Sequence, residues 1–148
     1  LRGGVDGIAL GPEWLYYGAL SGSGLYRVLL KDLLDESLPP NQLANRVERI
    51  GDKPLSDGLS IDIEGNIYIT DVEHGSIFVT GAGKNLKTLI QAPDLRWPDA
   101  LSFGPDGYLY IADSALAELI LQSREHIEAQ GPYRIFRLQP GVDGVPGQ

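Results

Sequence analysis

One pattern occurs three times in this 148-residue chain, and that repetition restricts the fold more than any other feature. The copies are GVDGIALGPEWLYYGA (Gly4–Ala19), LSDGLSIDIEGNIYITD (Leu55–Asp71) and WPDALSFGPDGYLYIAD (Trp97–Asp113). In each, an Asp followed by a small residue opens a short apolar run: Asp6, Asp57 and Asp99. A turn comes next, then a second apolar run centred on Tyr16, Tyr68 or Tyr110. Two apolar runs around a tight turn predict a β-hairpin, with Glu64-Gly65-Asn66 and Pro105-Asp106-Gly107 as the second and third turns. The first copy is one residue shorter and has no turn Gly, so its Pro12-Glu13-Trp14 turn should be tighter or irregular.

The three Asp recur 51 and 42 residues apart, close to the ~40–50-residue period of propeller blades. Segments such as IYIT and LYIA carry few polar positions, as strands in sheets covered on both faces do. Further strands are expected at Gly24–Leu30, Ser76–Thr80, Leu86–Ile90 and Tyr133–Leu138, with Gly81-Ala82-Gly83-Lys84-Asn85 as a turn. Short helical insertions are expected at Asn41–Ile50, with Asn41 as N-cap, and at Ser123–Gln130, stopped by Gly131-Pro132. The fold class is therefore all-β: a β-propeller of blade-like units about residues 1–50, 51–95 and 96–148. Closed propellers have ~4–8 blades, so about three units predict the C-terminal half of a six-bladed ring. Missing N-terminal blades, or self-association, would close it.

Composition narrows the partners. With 19 Gly and 10 Pro the chain is too turn-rich for a helical bundle. A net charge of −8, with no basic cluster, excludes nucleic acid as a natural partner. No apolar run approaches the ~20 residues of a membrane helix, so no membrane partner is expected. The absence of Cys removes disulfides, thiolate metal sites and Cys nucleophiles.

Asp6, Asp57 and Asp99 should begin the innermost strands, near one mouth of the central channel. Converging there, they would attract a cationic amine or hold a divalent cation through hard oxygen ligands. The competing account is that each Asp caps the turn into its own strand. Asp71 and Asp113 read as a second ring of carboxylates or as turn residues. Trp97 either packs or walls a pocket whose aromatic face suits an indole or amine ligand. His74, beside Asp71 and Glu73, is the candidate proton carrier, because imidazole titrates near neutrality. No phosphate loop, Gly-x-Ser-x-Gly elbow or HExxH motif occurs.

LYYGALSGSGLYRV (Leu15–Val28), KPLSDGLSIDIEGNIYITDVEHGSI (Lys53–Ile77), RWPDALSFGPDGYLYIADSAL (Arg96–Leu116) and PYRIFRL (Pro132–Leu138) together resemble the major royal jelly/yellow proteins. The lack of Cys and the GPYRIFRLQPGVDG ending resemble the bacterial, L-dopachrome tautomerase-related members. That resemblance implies a six-bladed propeller binding a small aromatic amine or indole-like molecule at the channel mouth. It also implies secretion or a periplasmic location, though no signal peptide is visible. Any chemistry would be a dopachrome-type isomerisation with Asp57 and Asp99 positioning the substrate, His74 moving the proton and no cofactor. The "DGL-x-x-D-x-x-G-x-x-y" units also resemble regucalcin/gluconolactonase propellers. That alternative implies a divalent-metal-dependent lactonase with calcium or zinc held by Asp57 and Asp99. A non-catalytic binding module is the third reading, and the residues leave catalysis open.

Overall fold

A computed structural model describes residues 4–81, 83–145 and 148; Leu1 to Gly3, Ala82 of the expected turn, Pro146 and Gly147 lie outside the described residues. Three antiparallel sheets follow one another along the chain. The first contains β1 (Val5–Leu10), β2 (Trp14–Ala19), β3 (Gly24–Leu29) and β4 (Glu48–Asp52) in sequence order. The second contains β5 (Leu59–Ile61), β6 (Ile67–Asp71), β7 (Ser76–Thr80) and β8 (Lys87–Gln91), again in order. The third contains β9 (Pro98–Phe103), β10 (Leu109–Asp113) and β11 (Arg134–Leu138). This is β-propeller architecture, each sheet a meander whose first strand lies at one edge.

The three repeats form the first hairpin of each sheet. In the second and third, Asp62 N–H donates to Asn66 O at 3.1 Å and Gly104 N–H to Tyr108 O at 2.9 Å, so three residues turn the chain. In the first, Gly11 N–H donates to Trp14 O at 2.9 Å and two residues suffice, the tighter turn that the missing residue requires. Asp62 stabilises its turn by accepting from Glu64 N–H, Asn66 N–H and the Tyr68 hydroxyl.

Alternation along β6 explains its apolar sequence. Ile67 and Ile69 pack with Ala9, Tyr16 and Leu25 of the first sheet, while Tyr68 packs with Leu101, Leu109 and Ile111 of the third. All five β6 residues are therefore buried, whereas β2 and β10 bury every second residue. The middle sheet is covered on both faces.

The expected helix over Asn41–Ile50 is corrected. The chain forms a four-residue turn of helix, α1 (Leu30–Leu33), then α2 (Pro40–Ala44), which starts at a proline with Pro39 as N-cap. It then becomes β4, where Arg49 pairs with Tyr26 and Gly51 with Leu25. The edge of β3 offers a ladder of backbone partners, broken by one bulge at Ile50, which outweighs the weak helical periodicity of Leu43, Val47 and Ile50. The second insertion is helical: α3 (Arg124–Ala129), capped by the Ser123 hydroxyl accepting from His126 N–H at 3.2 Å.

Near the C-terminus, Val145 N–H donates to Ile61 O at 3.2 Å and Ile63 N–H to Asp143 O at 3.0 Å. This extends the free edge of β5. Among the described residues no helix is long and apolar enough to cross a membrane.

Candidate functional site

The first strands of the three sheets, β1, β5 and β9, lie side by side with their N-terminal ends together. Their close approach depends on the small residue after each Asp. A Cβ on Gly7 would stand 2.8 Å from Asp57 O and 2.7 Å from Leu59 Cγ. A Cβ on Gly58 would stand 2.5 Å from Asp99 O. The equivalent Ala100 is exposed, and no fourth sheet packs against it among the described residues. The recurring Asp-small pair is thus the signature of inner strands packed backbone to backbone.

That packing brings Asp6, Asp57 and Asp99 to one open cavity of about 280 Å³, lined otherwise by the residues that follow them on the three strands. The turn-capping account of Asp57 is not what the structure shows. Its own N–H and that of Gly58 both donate to Thr70 Oγ1, each at 3.0 Å. The buried Thr70 hydroxyl does the capping and leaves the carboxylate available. Asp57 Oδ2 instead accepts from Trp97 Nε1 at 2.7 Å. Trp97 is fixed in turn, because its N–H donates to Asp113 Oδ1 at 2.7 Å, while Asp113 Oδ2 accepts from Arg96 Nε at 3.2 Å.

Burial pushes the Asp57 carboxyl above the ordinary carboxylate range; the Trp97 bond opposes this, and the Asp99 and Asp6 charges reinforce it. The trio is electrostatically crowded, and a positive ligand would relieve it.

Lys53 escaped the sequence reading. It lies in the segment between β4 and β5, only 4% exposed, with its ammonium donating to Pro54 O at 3.0 Å and Ser56 Oγ at 2.9 Å. Burial pushes its pKa down to about 8, and the nearby Asp6 charge opposes the fall. A cue was present in the first repeat: Gly18 stands where the second has Thr70, and a Cβ there would run into the Lys53 stem.

His74 is placed elsewhere, in the loop joining β6 to β7, and does not line the acidic cavity. Its Nδ1 lies 2.9 Å from Asp71 Oδ2, with the imidazole two-thirds exposed. Asp71 also accepts from Glu73 N–H, His74 N–H and the Ser76 hydroxyl, which makes it a turn-forming carboxylate. Asp71, Glu73 and His74 present ligand atoms within 4.8 Å of one another, close enough to share an ion, a spacing that Asp6, Asp57 and Asp99 do not show among the described residues.

No protein-family profile matches the sequence, and no curated protein does. Solved structures do. A luciferin-regenerating enzyme superposes with a TM-score of 0.66 at 17% identity, over 95% of this chain and 47% of its own. A Xanthomonas campestris gluconolactonase gives 0.64 at 13% identity, over 97% and 47%. Regucalcin from Agrobacterium tumefaciens, described as a calcium-binding protein, gives 0.65 at 22% identity, over 95% and 47%. The likeness is one of fold, and this chain spans about half the length of each.

These findings correct the yellow/royal-jelly reading. The solved structures of similar fold include gluconolactonases, a regucalcin, a streptogramin B lyase and a virginiamycin B lyase, and no yellow protein is among those found. Two of the motifs that carried that reading, Lys53–Ile77 and Arg96–Leu116, encode the tight packing of Gly58 against Asp99 and Ala100 and the hairpins after them. Those are needs of blade geometry, shared across propellers. Dopachrome-type chemistry and secretion were inferred from that resemblance and lose their basis with it.

Proposed function

We propose that this chain forms part of a gluconolactonase/regucalcin-like propeller whose acidic mouth holds a divalent cation through Asp57 and Asp99, with Asp6 completing the trio. The observation that carries this reading is the convergence of three carboxylates from three different sheets, one of them relieved of its turn-capping duty by Thr70. The likeness to a gluconolactonase and to a calcium-binding regucalcin supports it.

The donor set is all oxygen, with no imidazole or thiolate lining the cavity, which suits calcium better than zinc. Calcium takes about 6–8 oxygen ligands, so water, substrate or further blades would supply the remainder. Bound there, the cation would supply Lewis-acid polarisation of a lactone carbonyl. Trp97 aims the Asp57 carboxylate by holding Oδ2. Leu59 and Leu101 give the cavity apolar patches beside its acidic groups.

Lactone hydrolysis, followed as proton release, tests this in the complete protein carrying this chain. Activity should vanish with a chelator, return with calcium, and be lost in Asp57→Asn. Hydrolysis indifferent to chelation would refute the metal-dependent reading.

A further inference from the structure

We propose that Asp143–Val145 and Gln148 form an axial plug. It closes the channel at the end opposite the acidic cavity, so that a ligand enters and leaves only by the side of Asp6, Asp57 and Asp99. The inference concerns access to the cavity and holds for any ligand that the carboxylates take.

The equivalence of the repeats carries it. Four residues beyond Asp6, Asp57 and Asp99 stand Leu10, Ile61 and Phe103, equivalent positions ~13 Å farther along the three inner strands. Each inner strand is the edge of its sheet, so its backbone groups on the axial side need partners from elsewhere. At all three positions the C-terminal residues provide them. Leu10 N–H donates to Gln148 Oε1 at 2.6 Å, and Phe103 N–H donates to Gln148 O at 2.7 Å. Ile61 O accepts from Val145 N–H at 3.2 Å, and Ile63 N–H donates to Asp143 O at 3.0 Å. Residues that meet the same position of three successive sheets lie on the axis those sheets share. Their side chains suit the place. Gly141, at φ +89°, bends the chain inward from the outer strand β11. Gly144 passes so close to Phe103 that a Cβ would stand 2.1 Å from the ring Cγ. Val145 packs against the core between the first and second sheets and anchors the plug there.

Gly144→Val tests this in the complete protein carrying this chain, because the added side chain would drive the plug off Phe103. Amide exchange followed by NMR should find Leu10, Ile63 and Phe103 protected in the wild type. In the variant all three should exchange about 100-fold faster, while Ile69 and Ile111 in the middle strands keep their rates. A neutral nitroxide dissolved in the solvent should broaden the same three amides in the variant alone. Gln148→Ala is the milder change and serves if Gly144→Val fails to fold. It should release Leu10, which bonds the side chain, and spare Phe103, which bonds the backbone. Free exchange or nitroxide broadening of the three amides in the wild type would overturn the plug. So would release of Ile63 alone in Gly144→Val, since the contacts would then be separate, or an unchanged Leu10 rate in Gln148→Ala.

Discussion

The indole Nε1 of Trp97 donates to Asp57 Oδ2 at 2.7 Å across the boundary between the second and third sheets, joining residues 40 apart in the sequence. The orientation of the half-buried carboxylate is therefore set by the neighbouring sheet, and the mouth exists only when the two are packed together. This couples the site to the interface that the core residues Tyr68 and Leu101 stabilise.

Trp97→Phe should separate these roles. The ring stays to pack, but a hydrogen bond to a charged group is lost, costing about 2 kcal/mol of stability. Without that donor the Asp57 carboxyl should titrate still higher, because the indole is what lowers it. Chemical denaturation gives the first quantity and carboxyl titration by NMR the second. An unmoved Asp57 titration would show that the bond has no electrostatic weight.

Asp57→Asn should raise stability while removing cation binding. Burial and two like charges already disfavour the ionised Asp57, so its contribution is favourable at acid pH and is lost as pH rises through its raised folded-state value. The amide keeps an oxygen for Trp97 but carries no charge. The cation-free variant should melt higher than the wild type at pH 7 and lack the acid-range loss. Calorimetric melts across that range, with calcium titration alongside, decide it; a lower melting temperature at pH 7 would contradict the crowding argument.

Gly58→Ala tests the inner-strand packing. Its Cβ would meet backbone atoms of Asp99 and Ala100, which cannot swing away, so a loss of about 3 kcal/mol is expected. Gly51→Ala is the control. Nothing lies within 4 Å of a Cβ there, and a change within about 0.5 kcal/mol is expected. Similar losses in the two variants would mean that generic strand effects, and not the close approach, govern Gly58.

Much of this was readable before any coordinates. A repeat of Asp-small, apolar run and turn specifies a hairpin with one crowded edge, and three copies place three carboxylates at equivalent positions. What stayed hidden depends on contacts between copies. Nothing local marks Thr70 as the group that caps Asp57, or Asp113 as the anchor of Trp97, because each acts across a strand pair formed only on folding. The start of β4 falls inside the expected helix because Leu43, Val47 and Ile50 lie on one helical face, and the free edge of β3, which pairs with Glu48, Arg49 and Gly51, is not a local signal. Nothing local marks Lys53 as buried; only the glycine at position 18 leaves room for its stem. The yellow-protein resemblance failed for a related reason, since blade geometry imposes similar strings on unrelated propellers.

The last prediction concerns Lys53 in the cation-free protein. Its folded-state pKa lies near 8, below the 10.5 of an unfolded lysine, because burial penalises the charge. Below pH 8 both states are protonated and the penalty acts in full. Between pH 8 and 10.5 the unfolded chain binds more protons than the folded one, so raising the pH relieves the penalty. The wild type should gain roughly 2–3 kcal/mol relative to Lys53→Met across that window, and comparing the two proteins cancels tyrosine titrations common to both. Urea midpoints at a series of pH values measure it. Lys53→Met should be the more stable protein at pH 7, with the gap closing toward pH 10.5. A gap independent of pH would place the ammonium in water, contrary to the berth that Gly18, Pro54 and Ser56 form around it.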